Sequence, residues 1–270
     1  MRVARAAKWR DSSHVRRRDV SLLVVVVACA RGGVAAHGDS GGGQVDSSGT
    51  PDVFVAGPDA DTCPMLPCSL SPQCGCPGAN MACDINAMTQ MGTACRMVTS
   101  PGMESATCST GTDCAAGFVC VGDSFFAECD RYCAHDTDCA SPRGRCVIQL
   151  NNSSSQPITG AIVCSSNCDP TQAANALCPT GAACDLFSST FMGTTYDIVD
   201  CRKSGTATQG QTCSTTVACA AGLTCVNNGT TMTCSKICPR PQNTGCPAGK
   251  TCTSFSTAFT VGGQEYGACI

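Results

Sequence analysis

The chain of 270 residues has little of what an ordinary globular core is built from. Aromatic residues make up 4% of it, with one tryptophan, and charged residues 14%. Large apolar side chains are thinly spread and follow no long helical period, which excludes a single large core. No apolar run reaches the roughly 20 residues that a helix needs to cross a bilayer. There are three histidines, and beyond residue 28 only His37 and His135, so general bases for hydrolysis are scarce. Cys-x-x-Cys is absent, which argues against a thioredoxin-like redox pair and against common zinc spacing. Paired carboxylates, a nucleophile elbow and a phosphate loop are also missing. The expectation is that the chain is not an enzyme and carries no cofactor or metal.

What it has instead is 27 cysteines. Such density marks a disulfide scaffold made in an oxidising compartment. It points to several small units that need cross-links because hydrophobic burial alone is insufficient. Charge is also uneven. Residues 1–28 carry seven Arg or Lys against Asp11 and Asp19, leaving 10 basic and 18 acidic residues, a net charge of −8. So acidic a remainder is a poor partner for nucleic acid.

Residues 1–28 read as a signal peptide, with Arg16–Arg18 ahead of the short run Leu22 to Ala28. Two processing sites remain open. One follows Ala36, in the small-residue pattern Val34-Ala35-Ala36. The other precedes Cys29, where Val26-Val27-Ala28-Cys29 resembles the bacterial lipobox, in which the cysteine sulfur takes a diacylglyceryl group. Cysteine arithmetic points the same way, because Cys29 is the odd one and 26 remain. Residues 29–62 are rich in Gly, Ser, Asp and Pro beyond His37 and read as a lipid-anchored flexible tether.

Self-comparison shows the organisation of the rest. Residues 107–133 and 212–238 align without gaps and share twelve identities. This alpha unit holds Cys108, Cys114, Cys120 and Cys129, and again Cys213, Cys219, Cys225 and Cys234. A beta unit, with a longer last gap, holds Cys133, Cys139, Cys146 and Cys164. It recurs as Cys168, Cys178, Cys184 and Cys201, and as Cys238, Cys246, Cys252 and Cys269. Cys68, Cys76, Cys83 and Cys95 reproduce it at the start, with Cys63 and Cys74 as an extra pair. The order is beta, alpha, beta, beta, alpha, beta, over segments 63–106, 107–164, 165–211 and 212–270. Every unit has an even count, so pairing within units is expected, and removing one bridge is expected to unfold its module without touching the neighbours. Four cysteines allow three connectivities; first-to-third and second-to-fourth is the expectation for alpha, giving Cys108–Cys120 and Cys114–Cys129. The fold class is therefore small disulfide-rich modules in tandem, with short β-hairpins and turns and little helix.

The run Cys108 to Cys146 resembles the N-terminal cysteine-rich domain of Dickkopf proteins and, more loosely, EGF-like modules, but lacks an adjacent Cys-Cys pair. With the lipobox and tether, the whole chain is similar to cysteine-rich repeat lipoproteins of high-GC Gram-negative bacteria. That resemblance implies an outer-membrane or cell-surface location, or secretion if Cys29 carries no lipid.

The remaining candidates are modest. His135 with Asp136 and Asp138 reads as a solvated loop; calcium on Asp136 and Asp138 would resemble some EGF-like modules, but too few oxygens converge. Asp113 and Asp138 each precede a cysteine, where an Asx turn is expected. Asn151, Asn152 and Asn228 lie in glycosylation sequons. The long beta gaps, 147–163, 185–200 and 253–268, place Phe, Tyr and Ile among Ser and Thr; simple hairpin packing is the expectation for them, with display to a partner as the alternative. The expected function is a surface-tethered binding or adhesion array for an extracellular protein or glycan, with a structural envelope protein as the alternative.

Overall fold

A computed structural model describes residues 4–5, 63, 67–100, 102–122, 126–173, 177–227, 229, 231–242 and 244–270. Cys29, Ala36, His37 and the expected tether lie outside the described residues, as does Asn228. Of the expected signal peptide only Ala4–Arg5 is described, as a two-residue strand β1. The others are β2 Met81–Ile85, β3 Thr93–Met97, β4 Phe118–Gly122, β5 Ala127–Arg131, β6 Cys146–Asn151, β7 Pro157–Cys164, β8 Ala182–Phe191, β9 Thr194–Lys203, β10 Leu223–Asn227, β11 Met232–Arg240, β12 Cys252–Val261 and β13 Gln264–Cys269. Helix among the described residues is limited to 3-10 turns at Gly111–Asp113 and Asp136–Asp138.

β2 to β13 form six antiparallel hairpins, one per unit. In each, the third and fourth cysteines of the unit stand directly opposite: Cys83 and Cys95, Cys120 and Cys129, Cys146 and Cys164, Cys184 and Cys201, Cys225 and Cys234, Cys252 and Cys269. They do not bond to each other. The third bonds back to the first and the fourth to the second, so each pair of bridges ties the preceding loop across the hairpin base. The beta pairs are Cys68–Cys83 with Cys76–Cys95, Cys133–Cys146 with Cys139–Cys164, Cys168–Cys184 with Cys178–Cys201, and Cys238–Cys252 with Cys246–Cys269. The alpha pairs are Cys108–Cys120 with Cys114–Cys129 and Cys213–Cys225 with Cys219–Cys234. Cys63–Cys74 is the additional bridge. Alpha and beta are thus one motif, differing in how far the hairpin projects past its clasp. Bridges spanning 11 to 25 residues each restrict the unfolded chain by about 3 kcal/mol.

The longest hairpin turns on Met192 (φ 49°) and Gly193 (φ 80°) between Phe191 and Thr194. Two positive φ values make a type I′ turn, whose twist matches paired strands. This hairpin, β8–β9, is buried on both faces. Phe187 and Ile198 enter a core with Leu70, Ile85, Val121, Tyr132, Ile148, Leu150 and Ile158. Leu186 and Val199, one residue along each strand, enter a second core with Ile237, Phe259, Val261 and Tyr266. Successive strand residues face opposite ways, so a hairpin apolar at adjacent positions needs cover on both sides.

One expectation is corrected here. The modules are not independent beads, because the first core draws on four units and the last unit returns to touch the third: Arg143 Nε donates to the Tyr266 hydroxyl at 3.0 Å. In the long beta gaps hairpin packing takes the large apolar residues: Ile148, Ile158, Ile198, Phe259 and Tyr266 are all 2% exposed or less, because lengthened strands carry them into the shared cores.

Strand continuity joins alpha to the beta unit that follows. β11 pairs with β10 over residues 232–236 and with β13 over 237–240. In the first half, Tyr132 just past β5 bridges to Val163 of β7. The Cys-x3-Cys spacing at these junctions, Cys129 to Cys133 and Cys234 to Cys238, is therefore the length of strand that passes from one clasp to the next.

Candidate functional site: the clasp between beta and alpha

Two of the four beta units are followed by alpha. In those two alone the third cysteine precedes Asp and the fourth precedes Arg: Cys83-Asp84 with Cys95-Arg96, and Cys184-Asp185 with Cys201-Arg202. The residues lie diagonally across the hairpin and meet. Arg96 Nε contacts Asp84 Oδ2 at 2.5 Å, and Arg202 Nε contacts Asp185 Oδ2 at 2.5 Å. Each guanidinium then reaches the Ala-Ala-Gly turn of the next unit. Arg96 Nη2 donates to the carbonyls of Ala115 and Phe118 at 3.2 and 2.9 Å. Arg202 Nη2 donates to those of Ala220 and Leu223, at 3.4 and 2.8 Å. The turns need glycine, Gly117 at φ 82° and Gly222 at φ 77°, which L side chains rarely adopt. The planar fork of arginine suits two carbonyls and a carboxylate at once.

The two clasps are not equivalent. Asp185 and Arg202 are closed in: the side chains are 0% and 6% exposed, and Arg202 Nη1 donates to Lys203 O at 2.9 Å and Cys219 O at 2.8 Å. Burial pushes the Asp185 carboxyl above its ordinary value, opposed by the Arg202 charge. In the first clasp Asp84 Oδ1 accepts from the buried Tyr132 hydroxyl at 2.5 Å and from Ile85 N–H at 2.8 Å. Burial raises the Asp84 carboxyl too, with the Tyr132 bond and the Arg96 charge opposing it. Tyr132, fully buried beside that carboxylate, is held well above the usual phenol range. Here Arg96 Nη1 is buried and has no acceptor among the described residues.

Beside the first clasp lies a cleft of about 380 Å³. Its walls come from the β2–β3 tip (Ile85, Ala87, Met88), from Ala94, from the 3-10 turn at Thr110–Thr112 and from Val119; Asp84 and Arg96 line it as well. Asn86 shapes the tip, its Oδ1 accepting from Met88 N–H at 3.0 Å and Thr89 N–H at 3.2 Å. Met88 is 96% exposed at the rim.

The residues singled out from the sequence fall elsewhere. Asp113 Oδ2 accepts from the backbone of Ser109 and Thr110 at 2.7 and 2.8 Å, and Asp138 Oδ2 from Ala134 and His135 at 2.8 and 2.9 Å. Both are turn-capping carboxylates, and these bonds hold them below the ordinary value. Asp136 Oδ1 accepts from Cys146 N–H at 2.8 Å. With Asp136 and Asp138 each committed to different backbone donors, their described contacts do not point to a shared ion. His135 is exposed. Cysteine sulfurs do cluster, for example those of Cys108, Cys114 and Cys129 within 4.8 Å of one another. All three are in disulfides and offer no thiolate. Sequence reasoning missed the Asp–Arg clasps, although Cys-Asp and Cys-Arg recur in the two units that precede alpha. No family model matches the chain, and no curated protein or solved structure matches it either.

Proposed function

We propose that the chain is an exported, disulfide-clasped protein, anchored to the cell surface through a lipid on Cys29, that works as a binding or adhesion array without catalytic activity. The observation that carries the reading is the pairing of all 26 cysteines beyond Cys29 in thirteen bridges with a repeated pattern; a thiol-rich cytosolic protein has no use for such a frame. The cleft of about 380 Å³ at the first clasp supports binding over a purely mechanical role. One observation favours the alternative, a structural envelope protein: the long hairpins spend most of their large apolar residues on internal packing.

The test is intact mass of the protein isolated from the envelope of a Gram-negative host, before and after reduction. The reading expects a chain starting at a diacylated Cys29, with a mass gain on reduction that counts thirteen bridges. An unlipidated chain starting at His37 overturns the anchor, and free thiols overturn the frame. Binding is tested separately, as saturable attachment of the oxidised chain to surface glycan or protein. Its absence at every ligand tried, with the chain fixed in the envelope, supports the structural alternative.

A further inference from the structure

Methionine is among the residue types most often found fully buried, and its flexible thioether fills gaps in cores. This chain uses it the other way. Met88 is 96% exposed, Met192 89%, Met91 and Met97 61%, Met103 55% and Met232 36%. Met81 is half-buried, so no described methionine lies in a core. Of the nine large apolar residues that stand exposed among the described residues, six are methionine. The cores are filled by Ile, Val, Leu, Phe and Tyr instead. The exposure is therefore a property of the thioether residues, not of apolar residues in general.

Their placement is also concentrated. Met81 and Met97 face each other across the β2–β3 hairpin, and Met88 and Met91 lie in the loop that joins its strands. Met192 occupies the first central position of the β8–β9 turn, at φ 49°. That position demands the left-handed region, where Asn and Gly are the usual residues. The turn therefore does not call for methionine, and its exposure shows that packing does not either. No thiol of the modules competes for an oxidant, because every cysteine beyond Cys29 is bridged, and most of these are buried.

We propose that these surface thioethers are the chain's reaction site for hypohalous acid, that Met88 and Met192 react first, and that the frame survives the reaction. A sulfur lone pair attacks the chlorine of hypochlorous acid; an S–Cl bond forms and hydroxide leaves. Water then adds its oxygen to sulfur, chloride leaves, and two protons are released, one of which neutralises the hydroxide. The net change turns one thioether and one hypochlorous acid into one sulfoxide, one chloride and one proton. Sulfur loses two electrons and chlorine gains them. Susceptibility follows exposure, and a sulfoxide disrupts packing only where the thioether was packed. At these positions the new polar oxygen meets water. One chain can thus consume several equivalents of oxidant and keep its cores and bridges. This activity goes beyond the binding reading and does not depend on it.

The experiment adds hypochlorite stepwise to the full oxidised chain at pH 7, quenches each step, and maps sulfoxide by peptide mass spectrometry. At two equivalents per chain, Met88 and Met192 are expected to be converted at least about threefold more than Met81. The double variant Met88→Leu/Met192→Leu should pass that oxidant to Met91, Met97 and Met103. At one equivalent per exposed methionine, the guanidinium midpoint should lie within about 0.3 M of that of the untreated chain, and reduction should still count thirteen bridges. Equal conversion of Met81, chlorination of the exposed amines Lys203 and Lys250 ahead of methionine, loss of bridges, or a larger shift of the midpoint overturns the proposal.

Discussion

Replacing Arg202 by Met tests the claim that the clasp holds beta to alpha. The substitution keeps most of the side-chain volume and removes the guanidinium. Asp185, with its side chain 0% exposed, loses the cation it is paired with, and four carbonyls lose a donor. Breaking a buried ion pair from one side costs about 3–5 kcal/mol, because the other charge stays buried and uncompensated. The double variant Asp185→Leu/Arg202→Met removes both charges and should recover much of that loss. The pH dependence gives an independent handle. Burial raises the folded-state carboxyl of Asp185 above its unfolded value near 3.8, and Arg202 opposes that rise. A raised carboxyl contributes stability that is fully present below the unfolded value and is lost as pH climbs through the folded one. Without Arg202 the folded value rises further, so the deficit of the variant is smallest below about pH 4 and grows toward neutrality. Guanidinium titration of the oxidised chain by circular dichroism, at pH 7 and pH 3, measures both. Hydrogen exchange locates the loss, which should be concentrated around residues 204–227. A deficit under about 1 kcal/mol at pH 7, or one equal at the two pH values, refutes the reasoning. Arg96→Met should cost less, because Asp84 retains the Tyr132 hydroxyl.

The other expectations are briefer. Ile198→Ala, at a position 0% exposed in the core shared by four units, should cost about 2–5 kcal/mol by denaturant titration. Faster exchange should extend beyond its own hairpin; confinement to residues 182–203 would restore the picture of independent modules. Removing the Cys114–Cys129 bridge with paired Ala substitutions should lose about 3 kcal/mol, measured against the same chain under non-reducing conditions. Asp113→Ala should cost about 0.5–1 kcal/mol at pH 7 as a lost turn cap, the lower end because the group is partly solvated. Because its backbone bonds lower the folded-state carboxyl, that stability is present above the unfolded value and lost as pH falls through the folded one, so the variant and parent should converge at strongly acid pH.

Much of the scaffold is legible in the order of the cysteines. Spacing separates the units, even counts keep the bridges inside them, and Ala116-Gly117 and Ala221-Gly222 mark turns that the backbone makes with positive φ at glycine. The hairpin between Cys184 and Cys201 is readable from its length and from Phe187, Phe191, Tyr196 and Ile198. What covers that hairpin is not. Leu186 and Phe187 are adjacent and both apolar, which says that two faces are buried, yet nothing local names Ile148 on one side or Phe259 on the other. The same holds at the clasp. Asp84 and Arg96 are visible as neighbours of cysteines, but their meeting depends on hairpin register, and Tyr132 reaches Asp84 across 48 residues.

The sequence alone therefore determined the modules, because disulfide frames are set by short-range spacing and by the chemistry of an oxidising compartment. It also determined the hairpins, because turn residues and strand length act locally. Only the tertiary structure decided that the six units share two cores, that the long hairpins bury their apolar residues in those cores, and that the two Asp–Arg clasps differ in their partners. Those outcomes depend on contacts between residues far apart in the chain, such as Tyr132 with Asp84 and Arg143 with Tyr266.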